Sequence, residues 1–527
     1  MPNRAPRVPV VLLLAVALVA AACSGPGAPD HPPSAQADPA VVQTATGAVR
    51  GVDPPGYRVF RGVPYAAPPV GPLRFAAPQP PPSWDDVRDA EQDGPRCIQA
   101  AGGDVEFGRQ SDEDCLTLNV WAPGKPDKPA AVMVWFHGGS FVNGGGAMFD
   151  AHWLVERGDI AVVTVNYRLG AFGFLAHPAL GPPGQVGNYG LADQQAALRW
   201  VRDNIAAFGG DPARVTIAGE SAGAMSVCDH LVAPGSQGLF HGAIIMSGPC
   251  TAQAALPEAQ RISLDYAAAA GCPEVTTAAG CLRGLRVDQL REPVWYTRLG
   301  GARLSGPVTE SAALPVDPVA GAAEGAAARV PVLIGTTRDE FTLFAALRYL
   351  SDGERFGPER YRPLLAEAFG ARADAVAERY PVDRYGDVAL AYSAAVTDAL
   401  FSCSAADLAE DLARRAPVYA YEFDDRAAPA PEPLTTLPFP VGASHSLDVR
   451  YLFDVGGAPD LSPAQQDLSH QMIDFWTAFV RTGEPGKSWP ALRPGAETGW
   501  MELRPDGNRV DSGFVRDHQC EFWRTNG

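Results

Sequence analysis

The pentapeptide Gly219-Glu220-Ser221-Ala222-Gly223 carries the clearest chemistry in the chain. A serine framed this way is the pattern of a nucleophile on a sharp strand-to-helix turn, its oxygen raised above a sheet. A bare G-x-S-x-G recurs by chance in long chains, so the flanks decide. Residues 215–218 form a short apolar run before it, and residues 222–231 read as a helix after it. The glycines leave room for a strained turn, and a helix N-terminus behind the serine favours developing negative charge. A serine hydroxyl is a weak nucleophile; it needs a base, and an acid that orients the base. The tetrahedral intermediate also needs donors for its oxyanion. His137-Gly138-Gly139-Ser140-Phe141 follows an apolar run upstream and matches the HGG type of oxyanion loop. Such a loop serves through its backbone, so His137 itself reads as structural.

Chains built on this elbow place the partners in the order serine, acid, histidine. An apolar run at residues 330–334 leads into Gly335-Thr336-Thr337-Arg338-Asp339-Glu340, which offers two adjacent carboxylates. Successive side chains of an extended segment alternate in direction, so one of the two faces the histidine; residue type does not choose between them. Three histidines follow: His445, His470 and His518. His470 lies in an amphipathic stretch with Leu468, Met472, Phe475, Trp476 and Phe479, which gives it a structural or surface role. His518 stands two residues from Cys520, near an expected chain clamp. His445 follows Gly442-Ala443-Ser444, on a loop that can project over a sheet, and is the favoured base.

Positioning these groups takes alternating strands and helices. Residues 131–136, 160–165, 215–218, 243–246 and 330–334 read as buried strands. Residues 193–205 have helical periodicity, with Ala196, Ala197, Trp200, Val201 and Ile205 on one face, and the Leu468 stretch marks a late helix. Buried strands alternating with helices predict an α/β fold, a mostly parallel central sheet with helices on both faces and long loop excursions.

The 527 residues are 46% hydrophobic and 19% charged, an ordinary globular composition with material for a large core. A net charge of −18 excludes nucleic acid as a natural partner and suits a soluble exported protein. There is no sustained repeat and no heptad pattern. Arg4 and Arg7 precede a short apolar run at residues 10–20, then Ala20-Ala21-Ala22 and Cys23. Residues 1–22 therefore read as a signal peptide and 23–40 as a Pro/Ala/Ser-rich tether. Residues 41–527 read as one large domain. Charges and prolines interrupt every later apolar run, so no other stretch reads as membrane-spanning. The mature chain is expected outside the cytoplasm, where disulfides persist.

Gly62-Val63-Pro64-Tyr65-Ala66 with Leu73-Arg74-Phe75, the stretch Glu113-Asp114-Cys115-Leu116-Thr117-Leu118-Asn119-Val120, and the segment from Gly187-Asn188-Tyr189-Gly190-Leu191 through Phe208-Gly209-Gly210-Asp211-Pro212 to Gly223 add a resemblance. From about residue 41 onward the chain resembles the type-B carboxylesterase family, which includes the cholinesterases. The resemblance implies an α/β-hydrolase fold and hydrolysis of a small-molecule ester through an acyl-enzyme. It implies Ser221 as nucleophile, Glu340 as acid and His445 as base. The N–H groups of Gly139, Ser140 and Ala222 would form the oxyanion hole, with no metal and no organic cofactor. Ser140 stands where the family often has Gly or Ala, and it keeps its N–H. Phe341 stands where the family usually has Gly, so packing beside the acid is expected to differ. The resemblance pairs Cys97 with Cys115, Cys272 with Cys281 and Cys403 with Cys520, which leaves Cys228 and Cys250 for a fourth bridge. Cys23 is then the odd one of nine cysteines and suits lipidation; Ala20 stands where a lipoprotein signal commonly has Leu. The expectation is a cell-surface lipoprotein anchored to the membrane through Cys23, or a freely secreted enzyme. Cholinesterases place a choline-binding Trp in the loop that corresponds to Cys97–Cys115. Here that loop is short and has no Trp, so a quaternary ammonium lacks its aromatic face and choline esters are rejected. Two alternatives differ in class: a cholinesterase-like binding module that has lost its nucleophile, which the intact motifs oppose, and an amide, thioester or polyester hydrolase on the same triad.

Overall fold

Alternate residues of one buried strand enter two different cores, and this organises the molecule. A computed structural model describes residues 38, 40–100, 110–124, 128–457, 459–495 and 499–525. The signal peptide, nearly all of the tether and Cys23 lie outside the described residues. Residues 39–527 cluster as one unit. Its centre is a ten-stranded sheet of β1 (Tyr57–Pro64), β2 (Thr117–Pro123), β3 (Ala130–Phe136), β4 (Ala161–Val165), β5 (Gly210–Glu220), β6 (Gly242–Met246), β7 (Val332–Thr337), β8 (Val418–Phe423), β9 (Trp500–Leu503) and β10 (Arg509–Asp511). The order across the sheet is β10-β9-β8-β7-β6-β5-β3-β4-β2-β1. The run from β4 to β9 is parallel, and the pairs β1–β2, β2–β4 and β9–β10 are antiparallel.

In β3, Val132, Val134 and Phe136 join a core shared with α1 (Tyr189–Asn204) and α2 (Ala222–Val232). Ala131, Met133 and Trp135 enter a second core, filled from the opposite face by Leu468, Met472 and Trp476 of the late helix. Side chains of a strand alternate between faces, and a sheet covered on both sides therefore reads as unbroken apolar runs. This is the α/β-hydrolase architecture that the sequence predicts. The strand expected at 330–334 is displaced: Pro331 offers no N–H, so β7 starts at Val332 and runs on through buried Thr336 and Thr337, carrying residues 338–340 to the sheet's C-terminal rim.

The excursions pack a third core of their own. After α3 (Thr342–Ser351), the chain reaches α4 (Val388–Ala413), whose middle turn, Asp398–Ser402, is π-helical. By length and composition α4 could cross a membrane, contrary to the expectation that charges and prolines interrupt every such run. It is a core helix: 72% of its apolar window is buried, and Cys403 is bonded to Cys520. The late helix, α5 (Pro463–Thr482), opens with a Ser462/Gln465 capping box and ends on left-handed Gly483. The other disulfides join Cys97 to Cys115, Cys228 to Cys250 and Cys272 to Cys281.

Candidate active site

Strand β5 ends at Glu220 and α2 begins at Ala222, so Ser221 is the whole connection. Its backbone is at φ 57°, ψ −122°, a region that non-glycine residues avoid and whose occupation costs on the order of 1–3 kcal/mol. Neighbouring elements impose the conformation: Ser221 N–H donates to Met246 O at 3.0 Å, and Met225 N–H donates to Ser221 O at 2.9 Å. Gly223 is required by close approach, since a Cβ there would lie 1.9 Å from Phe136 O. The side chain is partly exposed at the N-terminus of an 11-residue helix, where peptide dipoles favour an anion.

The loop after β3 closes over this elbow. Gly139, Ser140 and Phe141 all have positive φ, at 108°, 55° and 59°. The resulting turn is fastened by Val142 and Asn143 N–H groups donating to Gly139 O, at 2.9 and 3.1 Å. Tyr167 donates its hydroxyl to His137 O at 2.6 Å, and its ring stacks on the imidazole. Burial pushes His137 down to about 4, so it is neutral, and its Nδ1 is satisfied by Gly138 O at 2.8 Å. Its part is structural, as the sequence implies. A Cβ on Gly138 would be 3.1 Å from Ser221 Cβ, which measures how closely the loop presses on the serine. The N–H groups of Gly139, Ser140 and Ala222 donate to no other described residue.

The turn after β7 separates the two adjacent carboxylates. Glu340 is fully buried; Oε1 accepts the Thr337 N–H at 2.7 Å and Oε2 lies 2.5 Å from His445 Nδ1. Asp339 turns to Arg426, at 2.8 Å, and accepts the Ala443 N–H at 3.0 Å. It therefore holds the backbone of the loop that carries His445, while Arg338 pairs with Glu422 at 2.7 Å. Phe341 is buried against Phe344 and Tyr392, so it adds an aromatic layer beside Glu340. The imidazole of His445 lies between the rings of Phe344 and Phe401, with centroids 5.2 and 5.4 Å away.

His445 Nε2 is 3.1 Å from Glu220 Oε1, within ion-pair range but not aligned as a hydrogen bond, and it has no hydrogen-bond partner among the described residues. Burial lowers the imidazole, but the carboxylates of Glu220 and Glu340 outweigh it and push His445 up to about 9. Glu220 Oε1 also accepts the Ser446 hydroxyl at 2.5 Å. Asp448, buried with Tyr421 donating to it at 3.2 Å, is pushed up to about 8 by burial and by Glu220 and Glu340. The sequence reading gave no role to Glu220, Ser446, Asp448, Phe344 or Phe401. Glu220 did carry a signal, a charged residue closing an apolar strand; Phe344 and Phe401 carried none.

The other histidines stand apart. His470 is exposed on α5. His518 is clamped between Asp398, at 2.6 Å, and Glu422, at 2.5 Å. A cleft of about 620 Å³ lined by Arg338, Asp424, Glu502 and Arg504 contains none of Ser221, Glu340 and His445.

Residues 38–523 match the carboxylesterase family. The chain belongs to that family. It is similar to the para-nitrobenzyl esterase of Bacillus subtilis (strain 168), 36% identical over 479 residues that span 86% of this chain and 92% of that protein. The cocaine esterase of Homo sapiens is 33% identical over 506 residues, 89% of this chain and 87% of that protein. The solved structure of a thermophilic PNB esterase matches with a TM-score of 0.79 and 33% identity, covering 92% of this chain and 100% of the other. The protein is a carboxylic ester hydrolase of the serine hydrolase kind, acting on small-molecule esters.

Proposed function

We propose that this carboxylesterase is an exported enzyme working through a Ser221–His445–Glu340 triad, with the N–H groups of Gly139, Ser140 and Ala222 as its oxyanion hole. The observation that carries the reading is the placement of His445: Nδ1 is fixed by Glu340, while buried Nε2 has no hydrogen-bond partner among the described residues and lies against the residue preceding a strained serine. Neutral His445 takes the proton from Ser221 as Oγ bonds to the ester carbonyl carbon. Glu340 holds the tautomer and stabilises the imidazolium. The three N–H groups receive the oxyanion. The carbon–alkoxy bond then breaks, and the leaving alcohol takes the proton from His445. A water loses its proton to His445, attacks the acyl carbon, and the acid departs as Ser221 regains its hydrogen.

Export rests on the basic, apolar and small-residue order of residues 4–22, and a lipid anchor on Cys23 follows from its place after that segment and before a Pro/Ala/Ser-rich tether. Residues 41–527 form the catalytic domain. The test combines an organophosphate label with variants. The label is expected on Ser221, Ser221→Ala and His445→Ala lose turnover, and His470→Ala keeps it. A label on another serine, or an active His445→Ala beside an inactive His470→Ala, overturns the assignment. Mass analysis of the mature N-terminus in a host that exports it is expected to find lipid on Cys23; an unmodified soluble chain means simple secretion.

A further inference from the structure

We infer that Arg298 and Arg303, on a hairpin beside a cleft that shares Phe344 with the surroundings of His445, select esters that carry a carboxylate on the part of the molecule reaching out of the site; this rests on the Ser221 reading above. A two-stranded hairpin, Thr297–Leu299 with Ala302–Leu304, turns through Gly300 and Gly301 at positive φ. Leu299 and Leu304 face inward and are buried, while Arg298 and Arg303 are exposed and stand directly opposite one another in the register. Like charges directly opposite on paired strands oppose folding, so the hairpin's own stability does not account for the pair.

Nor do nearby carboxylates. Arg303 forms no ion pair with another described residue; its guanidinium is laid over the Trp295 ring, 4.7 Å from the centroid. Arg298 comes only to 3.9 Å from Glu367, whose other oxygen already receives Arg348 at 3.1 Å. Arg168, Arg338, Arg504 and Arg509, by contrast, each have a carboxylate oxygen at 3.0 Å or closer.

The pair borders a cleft of about 410 Å³ between the hairpin and α3, whose lining includes Trp295, Phe344 and three arginines, Arg298, Arg303 and Arg348, against two acids, Asp352 and Glu367, the second of which is engaged by Arg348. Phe344 joins this cleft to the chemistry, because its ring also packs on His445. On this proposal the ester carbonyl sits at Ser221 and the chain runs past Phe344 toward the two guanidiniums. Aromatic and aliphatic walls suit the chain, and the planar donors of arginine suit a terminal carboxylate. The substrate class is the half-ester of a dicarboxylic acid, with one acid esterified and the other free.

The experiment compares kcat/KM for p-nitrophenyl half-esters of dicarboxylic acids of increasing length with the same esters methylated at the far carboxyl. In the wild type the ratio of anionic to neutral ester is expected to peak at one chain length and to shrink with added salt, because exposed charges are screened. Arg303→Gln and Arg298→Gln each lower the peak ratio about tenfold, equivalent to about 1.4 kcal/mol, through KM, with turnover of the methylated esters unchanged. Arg261→Gln, an equal loss of charge at an exposed arginine paired with Glu258, leaves the ratio in place. A ratio without a peak, one untouched by both rim variants, or one lowered equally by Arg261→Gln overturns the proposal. Failure of the triad reading shows separately, as hydrolysis of the neutral esters that survives Ser221→Ala.

Discussion

Replacing Glu220 with glutamine tests whether the histidine is tuned by two carboxylates or by one. Glu220 Oε1 lies 3.1 Å from His445 Nε2. At that separation and an effective dielectric constant of about 20, the bare attraction is about 5 kcal/mol. Two effects reduce what it delivers: burial disfavours the Glu220 anion, and Oε1 is shared with the Ser446 hydroxyl. The expected net effect is the range typical of an opposite charge at this distance, about 1–3 pH units. The sign follows from the proton that is held. Glu220 favours the cation and, against burial and together with Glu340, pushes His445 up to about 9, which reduces the share of the neutral imidazole that can accept a proton. Its base form appears as pH rises. Glu220→Gln removes an anion, lowers the imidazole, and moves the rising limb of kcat/KM to more acid pH. At pH 7 the base form grows, while the plateau falls because the transition-state imidazolium loses a counter-charge. The assay is kcat/KM on a neutral ester from about pH 5 to 10, with melting temperature as the check on folding. Glu220→Asp, which keeps the charge, should leave the limb near its wild-type place. An active Glu220→Gln enzyme whose limb does not move would refute the reasoning.

Two further outcomes follow from the same geometry. Glu340→Gln should lower turnover by up to about 10⁴-fold, the loss an acid-to-amide change causes in a Ser-His-Asp triad, whereas Asp339→Asn should act on stability by about 1–3 kcal/mol, through its contacts with Arg426 and Ala443; turnover and melting temperature of both variants separate the roles. For His518, burial alone lowers the imidazole, but Asp398 and Glu422 hold it raised to about 10. A raised folded-state value contributes stability that is complete below the unfolded value of about 6.5 and lost as pH rises through about 10, so the melting gap between wild type and His518→Gln should be widest near pH 6 and narrow toward pH 10, and a gap independent of pH would count against it.

The parts of the site legible in the sequence are those whose signals are local. An apolar run, a serine between glycines and a following helix lie within a few positions of one another, and the same holds for the run before Gly139. Buried parallel strands announce themselves because both faces are covered. The imidazole's surroundings are not of this kind. Glu220, Glu340 and His445 meet across more than a hundred residues each, and Phe344 and Phe401 reach the ring from excursions whose packing no periodicity specifies. The hairpin that carries Arg298 and Arg303 is three residues per strand, too short for an alternation to stand out. Helix α4 misled in the other direction: its charged residues looked like interruptions, yet it is a buried helix held by a disulfide.

The adjacency of Asp339 and Glu340, which the sequence left open, has a structural reason in the turn that closes β7. Arg338, Asp339 and Glu340 each leave that turn toward a different element. Arg338 reaches Glu422 on β8, and Glu422 in turn holds His518, so the C-terminal segment is tied to the turn. Asp339 holds the Ala443 N–H two residues before His445, and its own N–H donates to Ala443 O at 2.9 Å. Glu340 takes the imidazole itself. The two carboxylates therefore act on one histidine by different routes: one contacts the ring, and the other fixes the backbone from which the ring projects. Glu340 is held to the sheet by the Thr337 N–H and faces an imidazole whose loop is held to the same turn, so their separation is set by that turn and not by the exposed excursions. Proton transfer depends steeply on such distances, and the proposed triad, with its base on a loop near residue 445 and its nucleophile at a strand end near 220, would owe that constancy to three consecutive residues.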